Sequence, residues 1–402
     1  MPAFQPLRAQ LHGPSWQHRG MPPALPLSAS RRGLLLSAPL LALPHMPAKV
    51  QAAQAAVATP VLDQPMRRLR LPAGTMGRDY VLLQLKLGGR GPFDFVVDTG
   101  LTAELITPHL REVLGIPPPT RVLQQNVGAG GSVQLPLVTL TDAHLVGAED
   151  LALPALNAVV TDFVQEHLDP QHPVEGMLGM ELLELWDVDF DFPAQRLRLF
   201  RPGEGAAAAA AAGLVEVPAA VLNETGILGI RATSPASKAG QPFIGIIDCG
   251  ASFSAINWKA AALAGLPPKG DAVYKSAGAK AQPGAAPGAT GGSLGGVAII
   301  GMDGRPQVAP TTPVQFTFAG AAAREDGKFR FEAPPPGWQP WQPVVAAVGD
   351  LPVFAQLLGD GTKPFDGPAA VLGLDVLSQR RVVVAAGVNK PGRVRQLFVS
   401  PK

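Results

Sequence analysis

The hydrophobic and polar positions of this 402-residue chain follow a pattern that is written twice. Residues 92–118, PFDFVVDTGLTAELITPHLREVLGIPP, overlie residues 242–268, PFIGIIDCGASFSAINWKAAALAGLPP, with no gap at an offset of 150. Such self-similarity is read before secondary structure, because it decides the architecture. In each copy a short apolar run (Phe95-Val96-Val97; Ile246-Ile247) predicts a buried strand. The run ends in Asp-x-Gly, where glycine permits a tight turn. A second short strand and then a short helix follow. Thr107 and Asn257 stand as N-caps, with Pro108 at the first helical position of the first copy. Gly115 and Gly265, each followed by a proline pair, end the helices.

A second pair of matching segments lies downstream. Gly176-Met177-Leu178-Gly179-Met180-Glu181-Leu182-Leu183 corresponds to Ala370-Val371-Leu372-Gly373-Leu374-Asp375-Val376-Leu377, and strand-like sequence follows each, over 188–200 and 382–399. These repeats predict two lobes, 64–202 and 214–402, joined by a Gly/Ala connector, 203–213, that reads either as a helical turn or as a flexible linker. The spacing from the Asp to the downstream Gly is 44 residues longer in the second lobe, and the Gly/Ala/Pro stretch 276–296 and the Pro/Trp stretch 333–343 account for most of it as surface insertions.

Composition narrows the class. Charged residues make up only 16% of the chain, while 45 Gly and 43 Pro favour turn-rich β structure over long helices. The length gives a prior of about two domains. A net charge of +2 offers no basic footprint for nucleic acid. The single cysteine, Cys249, excludes an internal disulfide framework and a Cys-based metal site.

The N-terminal stretch has the pattern of an export signal. No acidic residue precedes Asp63; Arg31-Arg32 leads into an apolar run ending at Leu43, and Ala53-Gln54-Ala55 supplies small residues for cleavage. The paired arginines resemble a twin-arginine signal. The run is too short, and too interrupted by Pro39, to span a bilayer core needing about 20 residues. Residues 1–55 are thus expected to be a cleaved signal, with 1–20 either preceding the true start at Met21 or belonging to a transit peptide. The implied compartment is a bacterial periplasm, with a thylakoid lumen as the alternative. Cleavage removes five basic residues and no acidic ones, leaving a net charge of −3.

Asp98-Thr99-Gly100 after a buried strand, its repeat as Asp248-Cys249-Gly250, and the apolar-apolar-Gly segments ending in Gly179 and Gly373 together resemble the retropepsin-like and pepsin-like aspartic proteases. The resemblance spans nearly the whole mature chain. It implies an all-β fold of two pseudo-twofold-related, acid-protease-like β-barrel lobes with short helices and an active-site cleft between them. Asp98 and Asp248 would be the catalytic pair, sharing one proton because two adjacent carboxylates cannot both ionise; pepsin is the reference case of such a pair. Thr99, Gly100, Cys249, Gly250, Gly179 and Gly373 would support the dyad, and Gly128, Gly130 and Gly131 would sit in a substrate-covering flap. An ordinary hairpin turn is the alternative for that stretch. The implied activity is an aspartic endopeptidase acting on peptide or protein substrates with an apolar bias, without cofactor, metal or nucleic acid, and with no integral membrane segment after signal removal.

Cys249 stands where the first repeat has Thr99, whose hydroxyl in the family braces both aspartates; a thiol is a weaker donor. That departure keeps a noncatalytic peptide-binding scaffold as the rival reading. A Cys nucleophile is a further alternative, lacking a nearby histidine in sequence; a small buried thiol is the default. Asp187, Asp189 and Asp191 alternate, lack the EF-hand glycine and are expected on an exposed strand face. His167 and His172 are off metal-pair spacing, Gly291 to Gly296 is no phosphate loop, and Trp338 and Trp341 are expected to cover an apolar edge.

Overall fold

The computed structural model describes residues 58–118, 123–128, 131–162, 173–222, 225–237, 240–274, 296–300, 306–320, 322–323, 329–330, 334, 336–359, 363–386 and 395–402. The expected export signal, His167, His172, Gly130 and the stretch 276–295 lie outside these residues.

In the first lobe the chain forms β1 (Leu62–Pro65), β2 (Arg67–Leu69), β3 (Tyr80–Leu87), β4 (Arg90–Val97), β5 (Glu104–Ile106) and helix α1 (Pro108–Val113). The hairpin β6 (Leu123–Gly128) and β7 (Gly131–Leu140) comes next, then β8 (Ala143–Leu145), β9 (Ala148–Ala152), β10 (Leu156–Val160) and β11 (Val174–Leu178). Helix α2 (Met180–Leu183) precedes β12 (Asp187–Asp191) and β13 (Arg196–Phe200), and α3 (Glu204–Ala211) leads onward.

The second lobe contains β14 (Val215–Val221), β15 (Leu228–Thr233), β16 (Phe243–Ile247), β17 (Ala255–Ile256), α4 (Trp258–Leu263), β18 (Gly296–Ile300) and β19 (Pro306–Val314). After the short β20 (Thr317–Phe318), β21 (Ala322–Ala323) and β22 (Phe329–Arg330) come β23 (Val344–Val348), α5 (Pro352–Leu357), β24 (Ala369–Leu372), α6 (Leu374–Leu377), β25 (Arg381–Ala385) and β26 (Gln396–Val399). The chain is an all-β protein with a few short helices.

The duplication read in sequence is a duplication of sheet topology. The first lobe runs β6-β7-β10-β5-β11-β4-β3 and the second β18-β19-β23-β17-β24-β16-β15. Corresponding pairs keep their sense: β4 with β11 and β16 with β24 are parallel, and β5 with β11 and β17 with β24 antiparallel. The apolar runs lie centrally in these sheets and are buried: Phe95, Val97, Ile246 and Ile247 are all nearly inaccessible. Each large apolar side chain so buried contributes about 1.5–3 kcal/mol. The helix signals also appear as read. Thr107 Oγ1 accepts from Leu110 N at 3.0 Å and Asn257 Oδ1 from Ala260 N at 2.9 Å. Gly115 and Gly265, just past the helix ends, have φ of +70° and +77°, a region costly for other residues.

The two lobes share a sheet, in the order β1-β13-β12-β25-β26-β14. β12 of the first lobe pairs antiparallel with β25 of the second, Asp189 opposite Val383 and Asp191 opposite Arg381. This location corrects the expectation for the alternating acids, because Asp187 and Asp189 are fully buried and Asp191 nearly so. Arg381 grips Asp189 in a bidentate pair, Nε to Oδ1 at 2.9 Å and Nη2 to Oδ2 at 2.7 Å. Arg198 Nη1 bridges Asp189 at 3.0 Å and Asp191 at 3.1 Å. Buried carboxylates demand such partners. Asp187 instead accepts from Gly203 N and Ala206 N at the start of α3 and from Ala386 N. The Gly/Ala connector is therefore a helix docked on the shared sheet, with Ala209 packed against Val383, Ala385 and Phe398. Trp341 is buried, Trp338 packs edge-on against it, and the Arg380 guanidinium lies 4.5 Å over the Trp338 ring.

Candidate active site

The two Asp-x-Gly turns sit at the ends of β4 and β16, each tied to the strand beside it. Asp98 N donates to Leu178 O at 2.9 Å and Asp248 N to Leu372 O at 3.2 Å. Within each turn the glycine N–H donates to the aspartate, Gly100 N to Asp98 Oδ1 and Gly250 N to Asp248 Oδ1, both at 2.8 Å. Ala251 N adds a further bond to Asp248 Oδ1 at 3.1 Å.

The carboxyls face one another across the lobes, close enough to hydrogen-bond directly. The turns require glycine because a Cβ on Gly100 would lie 2.4 Å from Asp248 Cγ, and one on Gly250 would lie 2.1 Å from Asp98 Cγ. Gly179 and Gly373 are needed for a different contact. A Cβ there would stand 2.5 Å from Ala103 O or 2.7 Å from Phe253 O, so each downstream segment lies flush against its own Asp turn. Met180 N and Leu374 N complete the contact by donating to Leu101 O and Ala251 O.

Burial raises the pKa of both aspartates. Asp98 is pushed well above the ordinary carboxyl range, first by desolvation and then by the charge of Asp248, with Gly100 N–H pulling the other way. Asp248 is also raised by burial, opposed by the N–H groups of Gly250 and Ala251 and by its bond to Asp98. One proton between the two carboxyls relieves the repulsion that two charges at this distance would suffer.

Thr99 supplies the brace across the lobes. Its hydroxyl donates to Ile247 O at 3.1 Å and accepts from Cys249 N at 2.9 Å, both inside the protein. Cys249 is fully buried, and its thiol is pushed up to about 12, mainly by burial and further by the aspartate charges, with the Thr99 hydroxyl acting in the opposite direction. Buried and held protonated, the thiol is poorly disposed to act as a nucleophile.

The stretch holding Gly128 and Gly131 is a hairpin, as both the flap reading and the ordinary-turn reading require. Gly128 of β6 pairs with Gly131 of β7, and the hairpin runs beside α5 of the second lobe.

Sequence reading passed over two further features. Each lobe holds a buried acid against its downstream segment, but at exchanged positions of the repeat. In the first lobe it is Glu104, whose Oε1 accepts from Leu182 N at 2.9 Å. In the second it is Asp375, whose Oδ1 accepts from Ser254 Oγ at 2.6 Å; Ser254 is the repeat counterpart of Glu104. Burial, with the charge of Glu181, raises Glu104 to about 8, and burial raises Asp375 to about 6. A charged residue inside the apolar run Ala103 to Ile106 was the available signal for the first. The other feature is Tyr80, at the start of β3, which reaches across to Ser252 and lies in the field of both aspartates.

No curated protein matches this chain. Residues 83–182, a stretch containing Asp98, Thr99, Gly100, the β6–β7 hairpin and Gly179, match the family model described as aspartyl protease, so the first lobe carries an aspartic-protease-like domain.

Proposed function

We propose that the chain is an aspartic endopeptidase in which Asp98 and Asp248 activate a water between them. The observation that carries this reading is the contact of the two carboxyls, with each opposite glycine leaving room for them. The two carboxyls share one proton at rest, so one member is protonated and the other charged. The charged member takes a proton from the water as its oxygen attacks the scissile carbonyl carbon. The protonated member donates to the carbonyl oxygen and stabilises the tetrahedral centre. Collapse of that centre passes a proton to the leaving amine and restores the shared-proton pair. The duplicated sheet topology and the Thr99 hydroxyl serving both lobes support this reading. The reading extends to an exported protein lacking residues 1–55, so the chain from Ala56 is the form to assay.

The test is digestion of a peptide library between about pH 3 and 7, the range in which a raised carboxyl pair changes charge. Cleavage is expected in wild type and lost in both Asp98→Asn and Asp248→Asn. Cleavage that survives either substitution overturns the dyad. A folded wild type that binds peptides without cutting them leaves the scaffold reading in its place.

A further inference from the structure

A pair of symmetry-related carboxyls has no direction of its own, yet a peptide does. Whatever makes such a cleft read a chain one way must lie off the axis, in residues that differ between the repeats. The structure holds one such difference beside the dyad. In the first lobe, the segment entering β3 crosses onto the turn after Asp248: Arg78 N donates to Ser252 O at 2.9 Å. Gly77, at φ +110°, lies so close to Ser252 that a Cβ would meet its carbonyl oxygen at 2.6 Å. Asp79 steadies the same segment by accepting from Leu71 N at 3.0 Å. Two residues beyond Arg78, the Tyr80 hydroxyl hydrogen-bonds the Ser252 side chain and feels both Asp98 and Asp248.

The corresponding pair on the other side is different. In the strand register, where Leu82 pairs with Val96 and Gly229 with Ile246, Tyr80 corresponds to Ile227, a buried apolar side chain, and Ser252 corresponds to Thr102, which is exposed. Ile227 has no group that could bond a hydroxyl. The cleft thus carries a phenol on one side of its axis and hydrocarbon on the other. Ser252 is buried, whereas Tyr80 keeps partial access to solvent. Burial and the two neighbouring carboxylates hold the phenol protonated, so it is a donor throughout the range where the dyad would work.

We propose that Tyr80, held by Ser252, is a substrate-orienting residue: its O–H donates to a main-chain carbonyl of an extended peptide on one side of the scissile bond and fixes the direction in which the chain lies. Ser252 donates to the phenol oxygen, which leaves the phenol proton for the substrate. The opposite side, at Ile227, offers that carbonyl nothing. This rests on the endopeptidase reading above and names what selects the substrate's orientation at that site.

The experiment compares wild type, Tyr80→Phe and Ser252→Ala, each from Ala56, on a cleaved peptide and on the same peptide with its sequence reversed. Thermal unfolding is followed in parallel. Tyr80→Phe keeps the ring and is expected to raise KM about ten-fold with kcat within about two-fold, the signature of one lost binding hydrogen bond. It should also narrow wild type's preference between the forward and reversed peptides. Ser252→Ala should move both quantities in the same direction by a smaller factor, and it carries the test if Tyr80→Phe does not fold. If wild type cleaves and both variants match it in KM and in directional preference, the assignment is overturned while the peptidase reading stands. Equal losses of kcat on every peptide, together with a lowered unfolding temperature, make Tyr80 structural and overturn it too. A wild type that cleaves nothing removes the peptidase reading and this assignment with it.

Discussion

Replacing Glu104 by Gln should make the protein more stable at neutral pH, although it removes a charge-capable group from the middle of the first lobe. Glu104 is fully buried in β5; one carboxyl oxygen accepts from Leu182 N, and the other has no partner among the described residues. Its pKa is raised from 4.5 to about 8, by burial first and the charge of Glu181 second. The unfolded chain releases this proton near pH 4.5, whereas the folded protein keeps it to about pH 8. Between those values the folded state binds more protons, so its stability falls as pH rises. At about 1.4 kcal/mol per unit, the cost relative to acid conditions is about 3 kcal/mol at pH 7 and levels off at about 4 kcal/mol near pH 8, where the folded protein releases the proton too.

Gln is neutral in both states and escapes this linkage. The two proteins should therefore be about equally stable near pH 4 and diverge steadily above it, with the variant ahead. Asp375, raised from 3.8 to about 6, contributes the same kind of slope to both proteins over its own lower window, so the contrast is sharpest between pH 6 and 8. Unfolding by guanidinium or heat, followed by circular dichroism at unit pH steps from 4 to 9, measures it. Parallel pH profiles for wild type and Glu104→Gln would refute the reasoning, because Glu104 would then titrate alike in both states.

Two shorter tests probe the other buried groups. Cys249, fully buried and pushed up to about 12, should resist maleimide and disulfide reagents in the native protein at pH 8 and react at once in denaturant; rapid native labelling, read by mass spectrometry, would contradict the burial described here. Arg381→Met leaves Asp189 buried with only Arg198 beside it and should cost about 3–5 kcal/mol, seen as a lowered denaturation midpoint; a cost below about 1 kcal/mol would show that the bidentate pair contributes little.

How much could be read in advance depended on whether a feature was local. Asp98, Asp248 and their glycines were legible because an ungapped repeat marked them, and the reason for glycine turned out to be the opposite carboxyl. The caps Thr107 and Asn257 were legible because a helix start is decided within a few residues. Glu104 left a weaker trace, an acid inside an apolar strand where the other repeat has Ser254. Tyr80 left none, because its partner Ser252 comes from the other lobe. The acids of β12 were misread for a related reason: alternating Asp on a strand ordinarily faces water. One of the arginines that buries them, Arg381, lies 192 residues further along the chain.

That separation bears on the order in which the molecule can be made. Lobe one contributes β12 as a strand whose second neighbour, β25, comes from Arg381–Ala385, far along the chain. Until those residues leave the ribosome, β12 is an unprotected sheet edge, and Asp189 has one of its two arginines. An open edge of this kind invites pairing with another chain, and contacts between residues so far apart in sequence form late. A fragment ending after the first lobe should therefore be prone to association, however complete its Asp-x-Gly turn. A chain truncated at residue 380 would lack β25, the strand that covers that edge of β12.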